Sequence, residues 1–373
     1  MTSLRKTLGD IADEAPLVSL ADLADRAVAG HRRRRRTSLT LAAVATVMAL
    51  GVGTAGTTLV GSRGDYGDYT VTPQRADTLP ELPDGKVEPL GYAYQTPCKV
   101  DKKRQVDCSV TEWRVVTRTG TTYRVPQALT GTAKALRVPV SISRDGRILA
   151  YYSRQAQAHV VRDLVSGSTV TSSVTVKEER IGVGSMLVVS DDGRHVVFDP
   201  REGSKEPGLL IDMRTGKTVS IPGEYEAIGI KNGVAQLVRY RKTDLWLMPV
   251  TGGGAPVRFD GVFIMFSELS PDGRTVAAFE FGKRGMERHS LTLLDAKTGR
   301  TIRKVVIRGL PKAGGVLGTS LWRNRAEVTL LYLHNGGSRS SYAIDINTGR
   351  ARQTARYPNV SPHMLFPGVV SSK

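Results

Sequence analysis

A turn of five residues, Ser-x-Asp-Gly-Arg, occurs three times in this sequence and restricts the fold more than any other feature. It occurs at residues 143–147 (SRDGR), 190–194 (SDDGR) and 270–274 (SPDGR), and an apolar run follows each copy. Its Asp and Gly residues are Asp145 and Gly146, Asp192 and Gly193, and Asp272 and Gly273. Asp accepts hydrogen bonds from nearby backbone N–H groups, and Gly adopts the positive φ that a tight hairpin requires. Each copy therefore predicts a hairpin that leads into a buried strand.

A second series of Gly turns runs in step with the first. Asn232 and Gly233 form a turn between the second and third copies of the motif, so the glycines of the first series follow at intervals of 47, 40 and 40 residues. The second series comprises Gly120, Gly167, Gly216, Gly252, Gly299 and Gly349. Periods of ~40–50 residues with four strands each are typical of propeller blades. We expect an all-β fold, a β-propeller of about six four-stranded blades over residues 86–360, with a seventh blade if residues 86–110 close the ring.

Two stretches of the repeat resemble a known family. The segment SPDGRTVAAF, followed by a strand and DAKTG, resembles the repeat of TolB-like β-propellers, and DLWLMPVTGGGAPVRF (residues 244–259) is similar to the strand–Gly-Gly–strand exit of that family. The Gly-His and Trp-Asp signature of WD-type blades is missing. The resemblance covers roughly residues 90–355 and implies the fold, whereas activity is left open because such propellers serve many roles. Arg outnumbers Lys, as in a GC-rich genome, which suggests a bacterial protein of actinobacterial type.

An uncharged segment near the N-terminus predicts a membrane anchor. Residues 37–62 contain no charge, and a run of arginines precedes them: Arg32, Arg33, Arg34, Arg35 and Arg36. A helix needs about 20 apolar residues to cross a bilayer, and basic residues hold their flank in the cytoplasm. We expect a cytoplasmic tail at 1–36, a transmembrane helix at 37–62, a linker at 63–85, an extracellular propeller at 86–360 and a C-terminal tail at 361–373.

A cleaved signal peptide is the main alternative to the anchor. Thr54, Ala55 and Gly56 resemble a cleavage region, although the polar stretch before the apolar run is long for a signal peptide. A twin-arginine signal is disfavoured because Thr37 and Ser38 are polar. Small residues at Ala45, Ala49, Gly53 and Thr57 form a stripe on the predicted helix, which would suit dimerisation in the membrane.

Cys98 and Cys108 are the two cysteines of the chain. In an exported protein, a close pair of this kind predicts a disulfide that closes a short hairpin. The alternative is a pair of buried free thiols.

The sequence contains no complete catalytic, cofactor-binding or metal-binding motif among those considered below. No Gly-x-Ser-x-Gly occurs, and TGKT (residues 215–218) lacks the earlier Gly of a phosphate-binding loop. GVGTAG (residues 51–56) lies inside the apolar segment. The six histidines lack metal-ligand spacing, and Asp65 and Asp68 fit an acidic linker better than a cation site. We therefore predict no enzyme activity, no cofactor and no metal.

The formal net charge of +18 indicates anionic partners. Outside a cell, nucleic acid is excluded in practice, whereas acidic lipid headgroups and envelope polymers are abundant. The leading hypothesis is a membrane-anchored extracytoplasmic binding module for a protein or an envelope polymer. The second hypothesis is a signalling protein with the layout of a membrane-bound anti-sigma factor. It is weakened because the zinc-binding His and Cys residues common in the cytoplasmic domains of such proteins have no counterpart here: the first Cys of the chain is Cys98, outside the predicted tail. A propeller lyase or hydrolase is the third.

Overall fold

The computed structural model describes residues 69–70, 79–100, 104, 106–201, 205–240, 242–282, 285–286 and 288–369. The predicted cytoplasmic tail, the arginine run and the predicted transmembrane helix lie outside these residues. None of the helical structure within the described ranges has the length and apolar character needed to cross a bilayer.

The described residues form six consecutive sheets whose neighbouring strands are almost all antiparallel, which confirms the predicted all-β propeller with six blades. The strands are as follows. Blade 1 contains β2 (Leu90–Gln95), β5 (Trp113–Thr117), β6 (Thr122–Val125) and β28 (Met364–Leu365). Blade 2 contains β7 (Ser141–Ile142), β8 (Ile148–Ser153), β9 (Ala158–Asp163) and β10 (Thr169–Thr175). Blade 3 contains β11 (Met186–Val189), β12 (His195–Asp199), β13 (Gly208–Asp212) and β14 (Thr218–Ile221).

The second half of the ring repeats this arrangement. Blade 4 contains β15 (Glu226–Lys231), β16 (Val234–Arg239), β17 (Asp244–Pro249) and β18 (Val257–Arg258). Blade 5 contains β19 (Phe263–Ile264), β20 (Thr275–Gly282), β21 (Gly285–Met286), β22 (Ser290–Asp295) and β23 (Thr301–Val306). Blade 6 contains β24 (Gly314–Trp322), β25 (Glu327–His334), β26 (Arg339–Asp345) and β27 (Ala351–Tyr357), joined at its edge by β1 (Tyr69–Thr70). Outside the blades lie a hairpin of β3 (Lys99–Val100) and β4 (Val106–Asp107) and a short 3₁₀ helix, Glu178–Arg180.

Apolar side chains fill the space between neighbouring blades. Tyr152 of blade 2 and Phe198 of blade 3 belong to one buried cluster, and Phe279 of blade 5 and Trp322 of blade 6 belong to another. Strands such as β11 are buried along their whole length, because both faces of a blade are covered by its neighbours. This explains why the strands after the repeated turns show continuous apolar runs rather than strict alternation.

The two ends of the propeller meet in blade 1. The C-terminal strand β28 pairs with β2, with Ala93 opposite Leu365 and Tyr94 opposite Met364. This strand lies beyond residue 360, where the sequence analysis ended the propeller, because a two-residue strand leaves no periodic signal. The ring is closed by chain ends that are far apart in sequence, and residues 90–125 supply the other three strands of blade 1 rather than a seventh blade.

The segment before β2 runs along the outside of the ring. Strand β1 pairs in parallel with β27 of blade 6, and the backbone of Pro80 and Leu82 hydrogen-bonds to Arg124 of blade 1. Leu82 is buried. The guanidinium of Arg162, itself buried in blade 2, donates to the carbonyl oxygens of Leu82, Pro83 and Gly85. Residues 79–85, which composition assigned to a linker, are thus held against the propeller.

The strand order defines two faces of the ring. Turns between the first and second strands of a blade, and between the third and fourth, lie on one face, which we call the turn face. Connections between the second and third strands, and between successive blades, lie on the opposite face, which we call the loop face. This follows because successive strands within a blade are antiparallel.

Candidate functional site

The repeated motif forms turns with the same internal hydrogen bonds on the turn face. In the second copy, Ser190 Oγ donates to Asp192 Oδ1 at 2.6 Å, and Asp192 Oδ1 accepts from the backbone N–H of Arg194 at 3.0 Å. The backbone N–H of His195 donates to Ser190 Oγ at 2.9 Å. The glycines of the three copies, Gly146, Gly193 and Gly273, all have positive φ. The Ser, Asp and Gly of the motif therefore serve the turn.

The Arg of the motif pairs with an Asp at the end of the third strand in the same blade. The three pairs are Arg147 with Asp163 at 3.6 Å, Arg194 with Asp212 at 3.0 Å and Arg274 with Asp295 at 2.7 Å. Asp295 Oδ1 also accepts the backbone N–H groups of Lys297 and Thr298 in the second Gly turn. The two interleaved turn series are thus joined by one ion pair in each of these blades. Their role is structural.

Blade 6 lacks the Asp-Gly pair, and Asn324 replaces its hydrogen bonds. The amide oxygen of Asn324 accepts the backbone N–H groups of Ala326 and Glu327 at 2.7 and 2.9 Å. The turn is retained although the motif is lost.

Four charged side chains meet in the central channel, at its turn-face end. Glu268 Oε2 lies 2.6 Å from Arg144 Nε, and Glu268 Oε1 lies 3.3 Å from Lys231 Nζ. Arg144 also contacts Asp191 at 3.0 Å. Burial raises the pKa of Glu268 and lowers the pKa of Lys231, and the attraction between the two charges opposes both shifts. Two cations and two anions therefore balance each other inside the ring.

The C-terminal residues after β28 cross the same end of the channel. The backbone N–H of Gly368 donates to the carbonyl oxygen of Ile142 in blade 2 at 3.1 Å. Gly368 has a φ of +65°, and a β-carbon on it would overlap Leu321 of blade 6. Among the described residues at this end, a cavity of about 30 Å³ lies beside Gly368 and the ion pairs, and another of about 50 Å³ lies between Arg144, Leu321 and Val369. The channel is nearly filled at the turn face.

A larger pocket in the channel extends from Glu268, Gly368 and Val369 toward the loop face. Its volume is about 310 Å³, within the range of small ligand sites. Its lining comes from blades 3 to 6 and from the segment after β28, and its exposed area is mainly apolar. The large apolar side chains are Met186, Ile228, Tyr240, Ile264, Met265, Phe266 and Leu317, and Glu226 and Glu268 are the acidic ones. Glu268 forms part of its deep wall, where the carboxylate is already paired with Arg144 and Lys231.

Met265 holds an uncommon backbone conformation at this pocket. Its φ is +55°, in the left-handed region that an unbranched non-Gly residue rarely adopts. The hydroxyl of Thr319 on β24 donates to the carbonyl oxygen of Met265 and fixes this geometry. Backbone strain of this kind costs about 1–3 kcal/mol and is concentrated at functional sites.

A disulfide-closed hairpin projects from the loop face of blade 1. Cys98 and Cys108 form the predicted disulfide, and β3 and β4 between them are exposed along their length. Val100 and Val106 lie opposite each other and are 64% and 65% exposed. Two-stranded hairpins are marginally stable in water, so the disulfide supports this one.

Most large apolar side chains that are exposed in the described ranges belong to the loop face. They are Val100, Val106, Val110, Leu136, Val183, Val262 and Phe281. Val100 and Val106 form one exposed apolar pair on the disulfide hairpin, whereas the other side chains lie on separate connections around the ring. The pocket and these side chains share one face of the ring.

Metal-binding clusters and histidine pairs give no further site. No group of three or more His, Cys, Asp or Glu side chains in the part of the chain described is arranged to hold a metal ion. His159 is buried among the core side chains of blades 2 and 3, and His195 lies 3.9 Å from Asp212 on the turn face. The TGKT segment is the turn between β13 and β14. Asp65 and Asp68 lie outside the described residues.

Comparison with solved structures returns other propellers. TolB from Acinetobacter baumannii aligns with a TM-score of 0.45 and 16% identity, covering 75% of this chain and 64% of that chain. The WD40 repeats of RRP9 align with a TM-score of 0.42 and 11% identity, covering 74% and 86%. A prolyl endopeptidase aligns with a TM-score of 0.43 and 10% identity, covering 74% and 43%. No family model and no curated protein matches the sequence. This chain spans less than two thirds of the TolB chain it matches, and such distant similarity concerns the fold alone.

The residues of the channel were not predicted from the sequence. Arg144 and Asp191 occupy the variable position of Ser-x-Asp-Gly-Arg, Lys231 precedes the Asn-Gly turn, and Glu268 lies two residues before the third copy. Charged residues at these places, next to strands that are otherwise apolar, are a signal that could have indicated the channel. The apolar pocket residues carry no comparable signal.

Proposed function

We propose that this chain is a membrane-anchored, extracytoplasmic and non-catalytic binding module that engages a protein or an envelope polymer on its loop face. The observation that carries the proposal is the position of the 310 Å³ pocket. The channel is nearly filled at the turn face and widens toward the loop face, where the exposed apolar side chains lie.

The compartment part of the proposal draws on two features. A disulfide persists in an oxidising compartment, and Cys98 and Cys108 are bonded to each other. The uncharged residues 37–62 and the arginine run before them support an anchor with the propeller outside, on the sequence alone.

Photo-crosslinking in intact cells tests the binding surface. A benzophenone amino acid is placed at Val183 or Leu136 on the loop face, and at Val165 on the turn face as a control that is also exposed. We expect crosslinked products from Val183 and Leu136 and none from Val165. The absence of loop-face products, or equal products from both faces, would contradict the proposal.

A phosphatase fused to the C-terminus tests the topology separately. The fusion should be active in living cells, because the enzyme used folds only outside the cytoplasm. An inactive fusion that is present at normal abundance would place the propeller inside and remove the extracytoplasmic part of the proposal.

A further inference from the structure

We propose that the loop-face pocket is the anchor site for a partner protein and takes one apolar side chain from a segment that is otherwise acidic. This rests on the proposed function above and narrows its ligand to a protein.

The lining of the pocket favours an apolar occupant. Met186 and Phe266 are buried at its wall, and Ile228 and Leu317 complete an apolar surface. An anionic envelope polymer offers mainly hydroxyl and phosphate groups, and moving these from water into an apolar pocket without hydrogen bonds is costly. An aliphatic or aromatic side chain has no such cost and gains by leaving water.

The pocket is already formed without an occupant. Thr319 fixes the strained backbone of Met265, so the wall at this point is held by a hydrogen bond between two blades. Gly318 of β24 also lines the pocket, and among the described residues no heavy atom lies within 4 Å of the place where its β-carbon would be. The space beside Gly318 is therefore open to a ligand. A preformed pocket binds an anchor side chain with less ordering cost than a flexible surface.

The surroundings of the pocket indicate an acidic partner. The exposed charged residues in the described loop-face connections of blades 3 to 6 include more basic than acidic side chains: Lys177, Arg201, Lys205, Lys242, Arg288 and Lys312, against Glu179, Glu206, Glu224 and Asp260. Glu224 is itself paired with Arg239 at 3.1 Å. An apolar centre with a charged rim is the arrangement of a protein interface, in which the central anchor supplies most of the affinity and the rim supplies steering.

Peptide display against the full-length protein in detergent micelles tests the inference. A library of random linear peptides is selected on the wild-type protein, and enriched sequences should combine an aliphatic or aromatic residue with flanking Asp or Glu. Gly318→Phe fills the pocket, and it should weaken binding of the enriched peptides about thirtyfold, as loss of a central anchor does. Gly85→Phe is the matched control, because Gly85 is exposed and its β-carbon also meets no described atom within 4 Å.

A second variant keeps the test valid if Gly318→Phe fails to fold. The double charge reversal Lys242→Glu and Lys312→Glu alters exposed side chains only, and it should weaken the same peptides about tenfold at low salt and less at high salt.

Two results would overturn the inference. One is enriched peptides that bind Gly318→Phe and the charge-reversed protein as tightly as wild type. The other is a library that yields no enriched peptide while the loop-face crosslinks identify a polymer, which would leave the proposed function intact. Failure of all loop-face crosslinks would instead refute the proposed function.

Discussion

His159 should make the propeller lose stability as the pH falls below about 6.5. Its side chain on β9 is 1% exposed, with its ring 4.8 Å from that of Phe198 and 5.6 Å from that of Tyr152. Within the described residues its Nδ1 atom has no hydrogen-bond partner. Burial therefore lowers the pKa of His159 from 6.5 to about 3, because an imidazolium cannot be accommodated in this core.

The sign and size of the effect follow from proton binding. Between pH 6.5 and about 3 the unfolded chain binds a proton at His159 and the native chain does not. The free energy of unfolding therefore decreases as the pH falls, by about 1.4 kcal/mol per pH unit, and the decrease ends near the native pKa. At about pH 5.5 the loss from this residue alone should be about 1.4 kcal/mol.

Urea unfolding followed by tryptophan fluorescence measures this loss. All three tryptophans, Trp113, Trp246 and Trp322, lie in propeller strands, so the signal reports on the propeller. His159→Phe keeps an aromatic ring and removes the titrating group. Between pH 6.5 and about 3, its free energy of unfolding should therefore fall less than that of wild type, by about 1.4 kcal/mol per pH unit. Other titrating groups contribute equally to both proteins and cancel in the difference. Parallel curves of unfolding free energy against pH for the two proteins would refute the reasoning.

Three further predictions concern the turns and the closure of the ring, and thermal and urea melts of the full-length chain measure each of them. Gly273→Ala should lower the free energy of unfolding by about 1–2 kcal/mol, because Gly273 has a positive φ. Gly299→Ala should lower it by about 1–3 kcal/mol more, because the new β-carbon would overlap a carbonyl oxygen of β18. Equal losses for the two variants would contradict this. Asp295→Ala should lower the free energy of unfolding by about 2–3 kcal/mol, because it removes charge-assisted hydrogen bonds at a buried position. Arg274→Ala should lower it by less than about 1 kcal/mol, because the Arg274 side chain is 61% exposed. Arg339→Met should cost about 2–3 kcal/mol, since this buried arginine donates to carbonyl oxygens of the segment entering β28; an unchanged melting temperature would show that the ring closes without it.

The repeated part of the fold could be predicted from the sequence because its turns require particular residues. One hairpin requires Asp192 and Gly193, and another hairpin of the same kind requires Asp272 and Gly273. The repeat length of the blades can therefore be read from the sequence. The ion pair between Arg274 and Asp295 was not predicted, because it depends on how two turns of one blade lie relative to each other.

The closure of the ring could not be predicted in the same way. Strand β28 has two residues, and its pairing with β2 depends on chain segments more than two hundred residues apart. The segment at 79–85 has the composition of a linker, yet it is held by hydrogen bonds from Arg162. Both contacts use backbone carbonyl groups, which every residue has, and therefore leave no pattern in the sequence.

The same physical difference separates the scaffold from the candidate site. On the turn face, hydrogen bonds and ion pairs already engage the Ser, Asp and Arg of the three copies of the motif, and Gly supplies the positive φ, so substitution there is limited by stability. On the loop face the connections have no common pattern: four residues, 154–157, join the second and third strands of blade 2, whereas blade 1 inserts the disulfide hairpin at the equivalent place. Side chains that the fold does not require are free to contact a ligand. The pocket beside Met265 extends toward the loop face, where such side chains lie. The repeated turns hold the blades together, and the loop-face connections, which differ between blades, are where the proposed partner would bind.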